Sequence, residues 1–176
     1  NPFSYAFPYD GGMVVFDNAT AGIAFFGVVE AKLKGESLLE GLAFDKDGNP
    51  TTVAAKVMDD GSVKTFAEHK GFGLSILVQT LGSAFTLAGF AGGHEEDGAG
   101  TFVMAIDPGL LAGKDEFMRR AGELMKSLKS AKPLPGQKVL LPGEHGDELA
   151  AQAKQSGEIE IADAIWQQLT EFVNAQ

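Results

Sequence analysis

Residues 68–78 read Glu68-His69-Lys70-Gly71-Phe72-Gly73-Leu74-Ser75-Ile76-Leu77-Val78, which places an imidazole and an ammonium group directly ahead of a long apolar run. The glycines beside this basic pair indicate a turn that leads into a helix. The start of a helix has free backbone N–H groups and the positive end of the helix dipole, and both favour a small anion such as phosphate. A plain helix start with a surface lysine is the alternative that these residues leave open.

The composition excludes several classes of protein. The chain has 176 residues, of which 44% are hydrophobic, so it can form one domain with a real core or one large part of a bigger protein. A formal net charge of -10 argues against nucleic acid or an anionic membrane as the main partner. The absence of cysteine excludes disulfides and thiolate chemistry and fits a reducing, cytoplasmic location.

The residues ahead of the basic pair predict a hairpin and a helix. Residues 3–7 and 13–16 are short apolar runs joined by turn-forming residues, which is typical of two paired strands. Asp17-Asn18-Ala19-Thr20 supplies capping residues for a helix over residues 21–34, and Gly35 is expected to end that helix.

Apolar periodicity predicts the remaining elements. The apolar run from Gly71 to Phe90 is expected to form a buried helix. The mixture of elements without regular strand–helix–strand alternation favours an α+β fold, with helices packed on a mixed, largely antiparallel sheet. Further strands are predicted at 42–44, 101–106 and 139–141, and irregular structure at 51–67. Helices are predicted at 114–129, from the opening segment 142–147 to about Ser156, and from Asp163 onward.

Standard nucleotide and hydrolase motifs are missing. Gly71-Phe72-Gly73 begins the dinucleotide fingerprint G-x-G-x-x-G, but Ile76 occupies the third glycine position. The chain contains no P-loop, no serine nucleophile elbow and no H-E-x-x-H zinc motif. A nucleotide bound to this chain would therefore be held by another architecture.

Two weaker patterns leave alternatives open. His69, His94 and His145 each adjoin a carboxylate, but their spacing fits no standard ligand pattern, so no metal site is predicted. Asp17 follows an apolar strand and suits a helix cap, although a carboxylate there could also orient a catalytic histidine or a ribose hydroxyl.

Several segments occur in one order that is specific as a set. Together they resemble the type-2 malate/L-lactate dehydrogenase family, which includes ureidoglycolate, sulfolactate and diketogulonate dehydrogenases and piperideine-carboxylate reductases. The resemblance spans essentially the whole chain. Its segments are Asn1-Pro2, Val14–Thr20, Pro50-Thr51-Thr52, His69–Leu74, Phe102–Pro108, Leu141-Pro142-Gly143-Glu144 and Ile159–Trp166.

The resemblance implies an enzyme that uses NAD or NADP to interconvert a 2-hydroxy acid and a 2-oxo acid, or the corresponding imine. It also implies a non-Rossmann dinucleotide-binding fold and a homodimer. Residues 1–176 would be the C-terminal, cofactor-binding portion of this dehydrogenase, and the N-terminal half would be a partner outside this chain. A non-catalytic dinucleotide-binding or assembly module derived from the same scaffold is the alternative.

The resemblance also implies which residues of this chain contact the cofactor. The main catalytic histidine would lie in the N-terminal half, with Asp17 as its orienting carboxylate, and none of the three histidines here takes that role. Lys70 and the neighbouring amides would face the phosphates of the dinucleotide. The implied cofactor contacts are Met13, Val14, Val15, Phe16, Asp17, Asn18, Ala19, His69, Lys70, Gly71, Gly143, Glu144 and His145.

Overall fold

The fold is given by a computed structural model of the chain, which describes residues 1–90, 92–93 and 98–174. The chain divides into two compact units: unit 1 contains residues 1–3, 18–102 and 160–176, and unit 2 contains residues 4–17 and 103–159. Among the described residues, no helix is long and apolar enough to span a membrane. The elements in chain order are β1 (Pro2–Tyr9), β2 (Gly12–Ala19), α1 (Phe25–Lys34), β3 (Ala43–Phe44), α2 (Ala54–Met58), β4 (Ser62–Val63), α3 (His69–Gln79), α4 (Lys114–Lys129), α5 (Glu144–Ser156) and α6 (Asp163–Asn174).

The predicted hairpin is confirmed. Strands β1 and β2 are neighbours in a two-stranded sheet and are joined by the turn Asp10-Gly11. This dipeptide suits a tight two-residue turn because glycine accepts the positive φ that such turns require, and Gly11 has a φ of 122°. The rings of Tyr5 and Phe16 stack across the hairpin with their centroids 5.0 Å apart.

A small apolar core holds unit 1 together. Helix α1 packs on α2, and α2 packs on the antiparallel pair β3–β4, in which Ala43 faces Val63. Helix α1 ends at Gly35 in the left-handed conformation, as the sequence predicts. The buried core residues are Val28, Ala31, Leu38, Ala43, Ala54 and Val57.

Two predictions for this unit are wrong. The residues Asp17–Thr20 do not cap α1, because the first three continue strand β2 and α1 begins only at Phe25, behind Ala24. The stretch 51–67 is not wholly irregular, since it contains the short elements α2 and β4. Elements of five and two residues depend on packing, here through buried Ala54 and Val57, rather than on local propensity.

The helix predicted from Gly71 is confirmed, but its burial is not. Helix α3 runs on into a π-helical turn at Thr80–Ala84, and only Gly71 and Ser83 are buried among the residues of these two elements. Phe72, for example, has 60% of its surface exposed. A helix that is apolar on all sides is normally covered, yet the described residues leave much of α3 uncovered.

Unit 2 is built around α4. This helix spans the predicted residues 114–129 and buries Ala121, Gly122 and Met125. Met125 packs with Val14 of β2 and with Leu141 in a second apolar core. The hairpin turn docks on the same helix, because the amide of Asp10 donates to the carbonyl of Met118 at 3.1 Å. Helix α5 confirms the predicted polar helix and ends at Gly157 in the left-handed conformation.

The sheet is smaller than the sequence predicts. Among the described residues, the strands form two separate two-stranded sheets instead of one mixed sheet, although the α+β class is confirmed. The strands predicted at 101–106 and 139–141 are not formed, because neither segment has a strand partner among the described residues. In the second of these segments Leu141 enters the core through its side chain, so burial does not require pairing there.

Candidate functional site

A strained turn positions the start of α3 in unit 1. Ala67 and Glu68 have φ values of 46° and 53°, which residues other than glycine rarely adopt. The hydroxyl of Thr65 donates to the carbonyl of Glu68 at 2.9 Å. The amide of Phe66 donates to the carbonyl of Thr20 at 3.1 Å. The turn is therefore fixed to the chain that leaves β2, and this fixes where α3 begins.

Gly71 has a packing role in this turn. It is buried, and a Cβ atom at this position would collide with the backbone of Phe66, most closely with its carbonyl oxygen. Only glycine lets the first turn of α3 lie directly on this peptide group. The structure thus explains Gly71 through contact between two parts of the backbone, whatever ligand the site takes.

His69 and Lys70 form an unpaired basic start to α3. Both residues are exposed, and the first turn of the helix contains no acidic residue. Neither side chain makes a hydrogen bond or an ion pair with another described residue. Cations at the positive end of a helix dipole are unfavourable unless an anion is nearby. This end of the helix is therefore suited to binding an anion.

In unit 2, strand β2 divides its residues between two faces. Val14 is buried against Met125 and Leu141, and Phe16 stacks on Tyr5. Met13, Val15 and Asp17 are exposed, and they share the opposite face because side chains alternate along a strand. Of the predicted contacts at 13–17, these three are open to a ligand.

The structure brings two predicted segments of unit 2 together. The amide of Val15 donates to the carbonyl of Pro142 at 3.2 Å. Gly143 follows with a φ of 100°, and a Cβ atom there would lie 3.2 Å from the carbonyl oxygen of Val15. The missing side chain lets the turn at Gly143 lie close against the backbone of β2. Residues 13–17 and 143–145, predicted separately, thus form one local group.

Glu144 is engaged within this group. Its carboxylate accepts a hydrogen bond from the amide of Leu141 at 2.8 Å and from the ammonium of Lys129 at 2.7 Å. The hydrogen bond from Lys129 and the one from the Leu141 amide lower the pKa of Glu144. The carboxylate thus holds the turn that leads into α5, while His145 beside it is exposed.

Asp17 has a partner that sequence reasoning missed. The hydroxyl of Ser4 on β1 donates a hydrogen bond to the Asp17 carboxylate. The turn Asp10-Gly11 carried the necessary signal: counting outward from it, Tyr9 faces Gly12 and Ser4 faces Asp17. Lys129, the partner of Glu144, was also missed, and it lies 15 residues away on another helix, beyond any local pattern.

The predicted contacts fall in both units. Met13–Asp17 and 143–145 belong to unit 2, whereas Asn18, Ala19 and 69–71 belong to unit 1. Asn18 is exposed and Ala19 half-buried at the end of β2. Of the histidines weighed as metal ligands, His94 lies outside the described residues, and within the described ranges no group of three or more His, Asp or Glu could hold a metal ion.

The family model described as malate/L-lactate dehydrogenase matches residues 1–170. The L-sulfolactate dehydrogenase of Methanocaldococcus jannaschii is 34% identical over 180 residues, covering 99% of this chain and 52% of the relative. The ureidoglycolate dehydrogenase (NAD(+)) of Escherichia coli O157:H7 is 30% identical over 181 residues, covering 96% of this chain and 50% of the relative.

Solved structures of this family also resemble the fold of the chain. The sulfolactate dehydrogenase structure from Methanocaldococcus jannaschii superposes with a TM-score of 0.77 at 32% identity, covering 99% of this chain and 52% of that one. The chain therefore spans about half the length of the relatives that it matches.

Proposed function

The chain belongs to the malate/L-lactate dehydrogenase family, and on this premise we propose that it holds the nicotinamide cofactor of an NAD(P)-dependent dehydrogenase. The reaction interconverts a 2-hydroxy acid and a 2-oxo acid. The relatives support this reaction class, since they include sulfolactate dehydrogenases and a ureidoglycolate dehydrogenase that uses NAD(+).

The basic start of α3 carries the proposal. A dinucleotide has a diphosphate, and this helix start offers the ammonium of Lys70, which has no partner among the described residues, the imidazole of His69 and the positive end of the helix dipole. No acidic residue in the first turn competes for these groups. These residues fit the phosphates of the cofactor.

The local group in unit 2 fits a cofactor in a different way. Gly143 lets the turn before α5 lie close against the backbone of Val15, and Met13, Val15 and Asp17 present one exposed strand face. When bound, the nicotinamide ring supplies or accepts the hydride. The residues of this chain bind and orient the cofactor. Asp17, whose carboxylate accepts a hydrogen bond from Ser4, would orient the histidine that transfers the proton, and that histidine belongs to the N-terminal half.

The whole activity requires more than this chain. The relatives are about twice as long as this chain. The part of a relative to which this chain has no counterpart is called the unmatched half. We propose that the unmatched half supplies the catalytic histidine and most of the substrate pocket. The homodimer and the cytoplasmic location stay predictions, and the proposed cofactor is NAD or NADP.

A titration tests the cofactor site. The chain is co-expressed with the unmatched half of the Methanocaldococcus jannaschii L-sulfolactate dehydrogenase, and NADH and NADPH are titrated by fluorescence. We expect Lys70→Ala to weaken binding of the preferred cofactor by about 10- to 100-fold, the value of one charge-assisted hydrogen bond. Lys32→Ala is the matched control, because Lys32 is an exposed lysine in the last turn of α1.

Each outcome has a distinct meaning. Equal weakening of nucleotide binding by both substitutions would contradict a role for the start of α3 in the site. The absence of binding by either nucleotide would contradict the proposal as a whole. Binding of a nucleotide without turnover of any 2-hydroxy acid would favour the non-catalytic module instead.

A further inference from the structure

Residues 103–106 have the sequence of a strand that is covered on both faces. The run Val103-Met104-Ala105-Ile106 is entirely apolar, with β-branched residues at both ends, and Asp107-Pro108 closes it. Strands buried on one face alternate apolar and polar residues, whereas strands in the middle of a covered sheet are continuously apolar. The sequence therefore specifies neighbours on both edges and both faces.

The described part of unit 2 supplies none of these neighbours. The side chains of Val103, Met104 and Ile106 are 83%, 69% and 64% exposed. No backbone hydrogen bond among the described residues involves residues 103–106. Unpaired N–H and C=O groups on an apolar segment form a template for strand pairing. This segment is the strongest local conflict between sequence and environment in the unit.

The segment is held firmly at one end. The Asp107 carboxylate accepts a hydrogen bond from the amide of Gly109 at 2.8 Å and caps a 3₁₀ turn at Pro108–Leu110. That turn packs on α4, the central helix of the unit. The segment thus emerges from a fixed point, so a pairing partner would meet a strand whose position is already limited.

We propose that residues 103–106 are the docking strand for the unmatched half, which adds a β-strand of its own beside them. The assignment of the partner rests on the proposed function. The relatives support this occupant because their match covers 99% of this chain, including this segment, and the same polypeptide continues for about as many residues again. Strand addition derives affinity from main-chain hydrogen bonds and specificity from the alternating side chains.

Hydrogen exchange tests the pairing. The chain is measured alone and in complex with the unmatched half of the Methanocaldococcus jannaschii L-sulfolactate dehydrogenase, without cofactor. We expect the amides of 103–106 to exchange at least about 100-fold more slowly in the complex. The exposed loop 132–137 serves as the reference and should be unchanged. The proposal is overturned if no complex forms or if residues 103–106 stay unprotected in the complex. It is also overturned if protection increases with the concentration of the chain alone, because the strand would then pair with a second copy of the chain.

A pair of variants separates backbone pairing from apolar contact. Met104→Pro removes the amide, whereas Met104→Thr keeps the amide and the strand propensity but removes the apolar side chain. We expect Met104→Pro to weaken the complex at least 10-fold more than Met104→Thr does. Equal effects would overturn strand pairing. Circular dichroism of each variant alone checks folding, which neither change should affect because this amide has no described partner.

The two proposals fail separately. Protection of 103–106 without nucleotide binding would support the docking strand and contradict the proposed cofactor site. Nucleotide binding by a complex in which 103–106 are unprotected would do the opposite.

Discussion

The starts of α3 and α5 were both predicted to contact the cofactor, and they are built in opposite ways. Helix α5 has Glu144 and Asp147 in its first turn, and Glu144 is bound to Lys129 and to the amide of Leu141. Helix α3 has His69 and Lys70 in its first turn and no acid. Helix α5 satisfies its own dipole, whereas the first turn of α3 has no acidic residue to do so. Similar sequence signals at helix starts can therefore mark either a finished structure or an open site.

The largest expected effect on stability is at Gly71, in the first turn of α3. We expect Gly71→Ala to destabilise the chain by roughly 3 kcal/mol, the upper range for overpacking, because its Cβ would strike the backbone of Phe66 rather than a movable side chain. Gly73→Ala is the matched control on the same helix. No atom lies within 4 Å of its Cβ position, so it should stabilise by about 0.5–1 kcal/mol. Urea unfolding measures both, and equal shifts would contradict the packing role of Gly71.

Gly143 tests the start of α5 in the same way, with a smaller effect. Gly143→Ala meets the backbone of Val15 at 3.2 Å and must adopt a φ of 100°. We expect a loss of about 1–2 kcal/mol in the free energy of unfolding, from backbone strain. Gly146→Ala, with no atom near its Cβ position inside α5, serves as the control and should not destabilise. A neutral Gly143→Ala would show that this contact relaxes freely.

Substitution of Glu144 is expected to have the smallest effect on stability, and that effect should depend on pH. Because its pKa is lowered in the folded chain, its contribution is complete above the ordinary carboxyl pKa and is lost as the pH falls through the folded value. Glu144→Gln should therefore cost about 1 kcal/mol at pH 7 and less at pH 3, which is below the ordinary carboxyl pKa. Urea midpoints of both proteins at these pH values measure the difference. A cost that is the same at both pH values would exclude the ionised carboxylate as its source.

Sequence reasoning succeeded where the cause of a structure is local. The apolar stripe of α4, the turn Asp10-Gly11 and the helix-ending Gly35 each act within a few residues, and the structure contains all three elements. The short elements α2 and β4 were missed because packing within unit 1 produces them. The predicted cap at Asp17–Thr20 was wrong because strand pairing extended β2 through Asp17, Asn18 and Ala19.

The candidate site shows the same division. Residue types and order predicted cofactor contacts at Lys70 and Glu144, but they could not distinguish a side chain without a partner from one that already has one. Glu144 matched the family pattern, and only the folded chain shows that it is bound to Lys129. Ser4 beside Asp17 could have been found by counting along the hairpin. The strand predicted at 101–106 is not formed, because the described residues contain no strand that pairs with it.

The turn at Ala67 and Glu68 has a consequence for chain length. Each residue added to a helix rotates the following side chains by about 100° and advances them by about 1.5 Å. Since Thr65 and Phe66 fix the point at which α3 begins, one inserted residue between this anchor and Lys70 would turn the ammonium away from its present direction. This segment should therefore tolerate substitution of exposed Glu68 but neither insertion nor deletion, and homologues that keep the site should keep its length.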